Sequence, residues 1–120
     1  MNPALIENPG MRFENQVALE LHRAVHHWSE LGLGSFSLHY VRNKEKEEVD
    51  FLIARDRKPA LLIECKLSGD NIPKSLLRFQ EQLKIPAVLA VNEPGVLRKL
   101  KLGGHSVLVV EAARLFAGLP

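Results

Sequence analysis

The chain has 120 residues, of which 46% are hydrophobic and 25% are charged, and its formal net charge is +2. This length suits one domain, and the composition excludes disordered, collagen-like and coiled-coil proteins. The small net charge does not by itself establish a nucleic-acid partner, because phosphate binding depends on clustered charge.

Several further classes are disfavoured by short sequence patterns. No apolar run reaches the roughly 20 residues that span a bilayer, and the N-terminus lacks a signal-peptide pattern, so we expect a cytoplasmic protein without a membrane partner. The single cysteine, Cys65, has no partner for an internal disulfide or for a CxxC zinc site. Basic clusters at residues 42–46 and 98–101 are interpreted as solvated surfaces, with phosphate binding as the alternative.

The first predicted element is a helix that follows the turn signal Asn8-Pro9-Gly10. Its apolar residues recur at helical spacing before the break at Gly32 and Gly34: Phe13, Val17, Leu21, Ala24, Val25, Trp28 and Leu31. Glu14 falls inside this apolar arc. An acid near a helix start can reflect the helix dipole or can belong to a functional site, and the helix alone does not decide between them. His22, His26 and His27 fall on the opposite face, and we interpret them as surface residues rather than as a zinc site.

The next predicted elements are three strands. Alternating apolar residues predict a strand over residues 35–41, and a polar loop follows at 43–47. Strands over 48–55 and 60–67 are separated by Asp56-Arg57-Lys58-Pro59, which is turn chemistry, so they are predicted to form a β-hairpin.

The second half predicts a helix from Pro73 to Leu83, a strand over 87–91, a basic stretch, a strand over 106–110 and a short final helix. The predicted order is αβββαββα in one α/β domain over residues 1–120, with residues 1–9 as an N-terminal extension.

The predicted hairpin concentrates charge on one face. If it turns symmetrically about Arg57, Asp50 lies opposite Glu64, and Lys66 shares their face. Opposed carboxylates repel each other, so a compensating cation is expected. One explanation is a cross-strand ladder in which Glu48 pairs with Lys66. The other is a site for a divalent cation such as magnesium, manganese or calcium, which oxygen ligands suit, and the apolar neighbours of the acids favour it.

The order of these motifs resembles the PD-(D/E)XK nuclease superfamily, whose fold is called restriction-endonuclease-like. The matching pattern is Asp50 on one strand, then Glu64-Cys65-Lys66 on the next, with helices before and after. The segments GMRFENQVALEL from Gly10, YVRNKEKEEVDFLI from Tyr40 and LLIECKLS from Leu61 are similar to the C-terminal nuclease-like domain, of uncharacterised function, of prokaryotic AAA+ ATPases. The likeness extends from about Gly10 to the LFAGLP ending.

The resemblance implies a three-layer fold with a central mixed β-sheet flanked by helices, and metal-dependent hydrolysis of phosphodiester bonds in DNA. It assigns Asp50, Glu64 and the backbone carbonyl of Cys65 to a Mg²⁺ or Mn²⁺ ion and makes Lys66 the catalytic lysine. It also matches Glu14 to the first-helix acid of many members, which adds Glu14 to the catalytic and metal-binding residues.

Two further residues are implied to meet the substrate, namely Arg42 and Gln80. The alternative function is a catalytically inactive module that binds DNA or protein and regulates an AAA+ ATPase. The P-loop pattern GxxxxGK[ST] is absent, so we do not expect this chain to hydrolyse ATP by that route. An ATPase domain is a possible partner, either in the same polypeptide or in a separate one. A small domain has little surface for base readout, which favours structure-directed cleavage or a homodimer.

Overall fold

The computed structural model describes residues 8–118. In chain order the elements are α1 (Pro9–Glu30), β1 (Phe36–Arg42), β2 (Glu48–Arg55), β3 (Lys58–Lys66), α2 (Lys74–Leu83), β4 (Ala87–Val91), β5 (Leu97–Leu102), β6 (His105–Glu111) and α3 (Ala112–Ala117). The predicted α/β class and order αβββαββα are confirmed, with one strand, β5, added inside the basic stretch. Residues 1–7 of the predicted extension lie outside the described residues, whereas Asn8 caps α1 and Pro9 begins it.

The six strands of the described chain form one mixed sheet in the order β1-β2-β3-β4-β6-β5. The strands β1, β2 and β3 pair antiparallel, β3, β4 and β6 pair parallel, and β5 joins the edge antiparallel to β6. All five residues of β4 are buried, as expected for a central parallel strand that is covered on both faces.

Helices cover both faces of the sheet and give the three layers that were predicted. On one face, α1 and α3 pack against β2, β3, β4 and β6, and the buried residues that α1 contributes are Phe13, Val17, Leu21, Val25 and Trp28. On the other face, α2 buries Leu76 and Phe79 against the sheet. Leu31, predicted in the apolar arc, is instead the C-cap residue of α1 and is 57% exposed. No helix within residues 8–118 is long and apolar enough to cross a membrane.

The hairpin between β2 and β3 turns through two residues only. Asp56 and Arg57 both have positive φ, at 51° and 67°, which matches the I′ type of tight hairpin turn. Asp56 fixes this turn against Ser35, since its Oδ1 accepts from the Ser35 amide at 2.9 Å and its own amide donates to the Ser35 carbonyl at 2.7 Å. Lys58 and Pro59, predicted in the turn, therefore belong to β3.

The register beyond this turn is the predicted one where the acids lie. Three consecutive pairs hold it, namely Phe51 with Ile63, Leu52 with Leu62 and Ile53 with Leu61. One further step in the same register sets Asp50 against Glu64. Ala60 is an extra residue in β3 on the turn side, because Ala54 pairs with Pro59.

A bulge in β2 corrects one predicted face assignment. Strict alternation along the strand would set Val49 on the same face as Phe51, but Val49 packs on the α2 side of the sheet and Phe51 on the α1 side. The cause is a register shift, since His39 pairs with Leu52 whereas Val41 pairs with Val49. Asp50 and Phe51 thus lie opposite one residue of β1. Bulges of this kind often change the direction of a functional side chain, and here the bulge occurs at Asp50.

Candidate functional site

An open cleft of about 600 Å³ lies where β2 begins and β3 ends. We call it the acidic cleft, after the charged residues that line it: Glu14, Glu48, Asp50, Glu64 and Lys66. The start of α1, at Gly10 and Met11, and the start of α2, at Pro73 and Ser75, line the same space. Four elements that are far apart in the sequence therefore meet at this end of the sheet.

The side chains of Asp50 and Glu64 each accept a hydrogen bond from a backbone amide of the opposite strand. The Asp50 amide donates to Glu64 Oε1 at 3.0 Å, and the Cys65 amide donates to Asp50 Oδ2 at 2.8 Å. These two bonds continue the strand pairing past the last backbone pair of β2 and β3. Asp50 is half-buried and Glu64 is only 6% exposed. Both carboxyl groups are therefore fixed by rigid strands, as a functional site requires.

Burial makes Glu64 an unusual carboxyl group. Its pKa is raised to about 8, chiefly by desolvation. A side-chain hydrogen bond with Asp50 and the negative charge of Asp50 add to the rise, while the hydrogen bond from the Asp50 amide and the charge of Lys66 oppose it. Burial has this effect because a low-dielectric surrounding disfavours the charged form. Burial therefore favours the protonated form of the Glu64 carboxyl when no cation is present.

Glu14 lines the acidic cleft from α1, where it is half-buried. The N-cap of α1 is Asn8, so Glu14 lies in the second turn, beyond the reach of the helix dipole. Burial raises the pKa of Glu14, and the charges of Asp50 and Glu48 raise it further. Of the two explanations left open by the sequence, the helix-terminus one does not account for Glu14.

Lys66 lines the acidic cleft, and the charge ladder between Glu48 and Lys66, one of the two explanations considered, does not form. Glu48 pairs with Arg42 on β1, with 3.5 Å between Oε1 and Nε, and both side chains are 61% exposed. Lys66 is exposed at the end of β3, and no ion pair of Lys66 occurs in the part of the chain that the structure describes. Lys66 therefore remains available to a ligand in the cleft.

Cys65 contributes its backbone to the site rather than its thiol. The side chain packs on the α1 side of the sheet, where burial raises the pKa of the thiol and the charges of Asp50, Glu14 and Glu64 raise it further. A thiol with a raised pKa is a poor nucleophile, because the thiolate is the reactive form. The amide of Cys65, in contrast, holds Asp50 in place.

The structure does not bring Gln80 to the acidic cleft. Gln80 lies in the second half of α2 and donates from Nε2 to the Ser106 carbonyl at 2.8 Å. It lines another cleft, of about 780 Å³, at the end of α2 and the start of β4. The three histidines of α1 are exposed, as predicted.

The donor atoms suit a hard divalent cation in their chemistry, but the side chains alone do not complete a coordination shell. Asp50, Glu64 and the Cys65 carbonyl offer oxygen ligands, which Mg²⁺ and Mn²⁺ prefer. Among residues 8–118, however, no three His, Cys, Asp or Glu side chains are placed to hold a metal ion together. Water would supply the remaining ligands, as is usual for magnesium.

The loop after Lys66 is anchored by residues that the sequence analysis missed. The Gly69 amide donates to Glu93 Oε1 at 2.6 Å, and Arg98 Nη2 donates to the Gly69 carbonyl at 2.7 Å. A Cβ atom at Gly69 would lie 2.8 Å from Cγ1 of Val109, so any other residue here would force its neighbours to shift. Arg98, which was read as part of a solvated basic stretch, thus positions the chain next to Lys66.

The candidate residues fall inside a recognised protein family. A family model described as a domain of unknown function, DUF4143, matches residues 9–109. The chain belongs to the DUF4143 family. The match covers α1 and every strand but the end of β6, and so includes all five charged residues of the acidic cleft. No curated protein and no solved structure matches the chain.

Proposed function

We propose that this DUF4143 domain is a metal-dependent nuclease of the PD-(D/E)XK type that hydrolyses phosphodiester bonds in DNA. The observation that supports this most is the pair of cross-strand hydrogen bonds that fixes the carboxyl groups of Asp50 and Glu64, with Lys66 lining the same open cleft. An acid and a Glu-x-Lys motif, separated along the chain, lie together as this chemistry requires.

The proposed cofactor is Mg²⁺ or Mn²⁺, held by Asp50, Glu64 and the carbonyl of Cys65, with Glu14 lining the same cleft. When bound, such a cation would polarise the scissile phosphate and lower the pKa of a water molecule. Charge compensation favours binding, because a cation can replace the proton that burial keeps on Glu64.

The remaining chemistry belongs to the basic residues of the chain. Lys66 would orient the attacking water or offset negative charge that develops on the phosphate during reaction. Being exposed and bordering the cleft, its ammonium group can reach a bound phosphate.

A basic loop beside the acidic cleft supports a nucleic-acid substrate. Arg42, Lys44 and Lys46 lie just before Glu48, which lines the cleft. Asn43 closes this loop by accepting from the Glu47 amide at 2.9 Å, and Arg78 of α2 pairs with the Glu47 carboxylate. The loop is therefore held against α2, so that it can present its cations to the backbone of DNA.

The decisive experiment is cleavage by the purified protein and by its Lys66→Ala variant. Wild-type protein with Mg²⁺ or Mn²⁺ is expected to cut at least one of single-stranded, duplex, flapped or junction DNA. Loss of an electrostatic group of this kind should reduce the rate by about 100- to 1,000-fold while leaving DNA affinity intact. Lys58→Ala, at the exposed start of the same strand, is the matched control and should cut normally.

A second candidate function is an inactive module that binds DNA or protein and regulates an AAA+ ATPase. It is favoured by the same two hydrogen bonds, because Asp50 and Glu64 already accept from backbone amides and so have a structural role. If wild-type protein cuts none of these DNAs and no RNA with either metal, but binds DNA in fluorescence anisotropy, the regulatory function replaces the nuclease.

A further inference from the structure

The rim of the acidic cleft carries apolar side chains as well as charges. Met11 of α1 and Leu67, which follows β3, both line the cleft, and they are 52% and 42% exposed. Neither side chain belongs to the two hydrophobic cores. A metal ion, a water molecule and a phosphate group offer such side chains no apolar surface to pack against. Hydrolysis of a phosphodiester bond therefore does not by itself account for them.

A third exposed apolar side chain lies on the other side of the acids. Tyr40 is the residue of β1 that lies opposite the bulge formed by Asp50 and Phe51. Its side chain is 67% exposed, and its ring rests against the buried ring of Phe51, with 5.6 Å between the centroids. The chain has five phenylalanines, one tryptophan and one tyrosine, all within the described residues, and only Tyr40 is exposed. An exposed ring supported by a buried one is a preformed surface for stacking.

The proposed metal ligands lie between these apolar surfaces. The sheet order β1-β2-β3 places Tyr40, Asp50 and Glu64 on successive strands, and Leu67 lies just beyond the end of β3. Neighbouring strands are about 4.8 Å apart, so β1 and β3 are separated by roughly 10 Å. Single exposed apolar residues are common on protein surfaces. Here, however, such residues flank one set of acids from both sides.

Unpaired bases are the part of DNA that fits these surfaces. In a duplex the faces of the bases are covered by their neighbours, and the outside is sugar and phosphate. Proteins that bind single strands stack the exposed bases on aromatic and apolar side chains and place cations along the phosphates. Arg42 lies two residues after Tyr40, on the same side of β1, and Lys66 lines the cleft. The site therefore offers both kinds of contact that a single strand needs.

We propose that single-stranded DNA is the substrate of the acidic cleft, with the bases on either side of the scissile phosphate lying against Tyr40 and against Met11 with Leu67. The position of the cut rests on the proposed function, whereas the stacking of the bases does not require cleavage. The substrate class is thus a strand end or a flap rather than a continuous duplex.

Fluorescence anisotropy tests this preference in EDTA, which removes the cation on which the proposed cleavage depends. Three labelled ligands are compared, namely a short single strand, the duplex of the same sequence and an abasic strand of the same length. The single strand should bind about tenfold or more tightly than either of the others, because it alone exposes base faces. Charge cannot produce this order, since the abasic strand keeps every phosphate and the duplex has more of them.

The single tyrosine allows a direct test of stacking. Protein made with 3-fluorotyrosine has one fluorine NMR signal, which the single strand should shift and the abasic strand should leave in place.

Variants then test the individual side chains. Tyr40→Phe keeps the ring and should retain the affinity for the single strand. Tyr40→Ala and Leu67→Ala should each weaken it by about fivefold or more, the usual effect of removing one stacking surface. Leu19→Ala, an exposed residue of α1 outside the acidic cleft, is the matched control and should bind as wild type does.

Four results would overturn the inference: duplex binding as tight as single-strand binding, abasic binding as tight as single-strand binding, an unshifted fluorine signal, and no affinity for the single strand. Cleavage separates this inference from the proposed function. A preference for the single strand without cleavage in Mg²⁺ or Mn²⁺ supports the base-binding surfaces and rejects the nuclease. Cleavage of duplex in preference to single strand supports the nuclease and rejects the base-binding surfaces.

Discussion

At the scale of single residues, Glu64 is a buried carboxyl group among apolar residues. Leu62 and Ile63, which precede it on β3, are fully buried, and the backbone of Asp50 supplies a hydrogen bond to it. Burial favours the protonated form, so the folded protein binds a proton at Glu64 more tightly than the unfolded chain does. Stability and pH are therefore linked through this residue.

The free energy of unfolding should decrease as pH rises from about 4.5, the ordinary pKa of the group, to about 8, its pKa in the folded protein. Below this range Glu64 is protonated in both the folded and the unfolded chain, and its contribution to the free energy of unfolding is fully present. Within the range only the unfolded chain releases the proton, so this contribution is progressively lost as pH rises. The slope from this residue is at most about 1.4 kcal/mol per pH unit. Urea unfolding at several pH values in EDTA measures it.

The Glu64→Gln variant should flatten this dependence, because glutamine does not titrate. Glu20→Gln, on the exposed side of α1, is the control and should keep the wild-type slope. If Glu64→Gln and wild type show the same slope, Glu64 does not have the raised pKa that its burial indicates.

The sequence was sufficient to predict that Asp50, Glu64 and Lys66 lie together at the end of the hairpin away from the turn, because alternation along the strands and a short turn fix their relation. The sequence was not sufficient to predict where Gln80 lies relative to these residues. A helical periodicity gives the face on which a residue lies, but not the height at which the helix crosses the sheet, and α2 brings Gln80 to Ser106 instead.

At the scale of elements, the loop between β3 and α2 depends on one glycine. Gly69 is buried, with Arg98 and Glu93 bonded to its two backbone groups. These contacts tie the segment after Lys66 to β5 and to the chain after β4. The loop should therefore move as a unit with the far half of the sheet.

Gly69→Ala is expected to destabilise the protein by about 1–3 kcal/mol, the usual effect of overpacking a tight site. The added Cβ would meet Val109 Cγ1 at 2.8 Å and Arg98 Nη2 at 3.0 Å. Chemical denaturation measures the effect. Gly104→Ala is the matched control, since no heavy atom lies within 4 Å of a Cβ there.

A double variant tests the cause of this destabilisation. Val109→Ala removes the nearest contacting atom, so Gly69→Ala should destabilise this background less than it destabilises wild type. Equal destabilisation in both backgrounds would mean that the clash with Val109 is not the cause.

Three details of the elements were beyond prediction from the sequence. In β5, the leucines of LRKLKL do not alternate strictly with the cations, so the segment reads as a solvated stretch until β6 pairs with it. The extra residue at Ala60 and the bulge at Asp50 depend on strand pairing, which a single strand does not encode.

At the scale of the whole molecule, the two ends of α2 line two different clefts. Residues just before and within the first turn of α2 line the acidic cleft, and a second cleft at the other end of α2 is lined by Gln80, Glu81 and Lys84. The three-layer arrangement was predictable from alternating helical and strand patterns. The position of β6 between β4 and β5 was not, because nothing in the order of elements requires β5 to lie at the edge.

Binding of a cation in the acidic cleft should stabilise the entire fold, because the proposed ligands come together only in the folded chain. The free energy of unfolding is expected to rise by about 2.7 kcal/mol when Mn²⁺ exceeds its dissociation constant 100-fold. Thermal unfolding with and without Mn²⁺ measures the change. The Asp50→Asn variant should lose most of this stabilisation by Mn²⁺. The Glu45→Gln variant, changed in an exposed loop, should retain the stabilisation.

The same stability for wild-type protein with and without millimolar Mn²⁺ would argue against a metal centre in this cleft.

The position of β5 at the sheet edge has a consequence for self-association. An edge strand exposes unpaired backbone groups to which another molecule can add a strand, and lysine is a common deterrent. Lys99 and Lys101 occupy this strand between Leu97, Leu100 and Leu102. Without those charges, the edge would present a leucine-rich template for intermolecular sheet extension. We therefore expect the lysines of this strand to oppose aggregation of the concentrated protein.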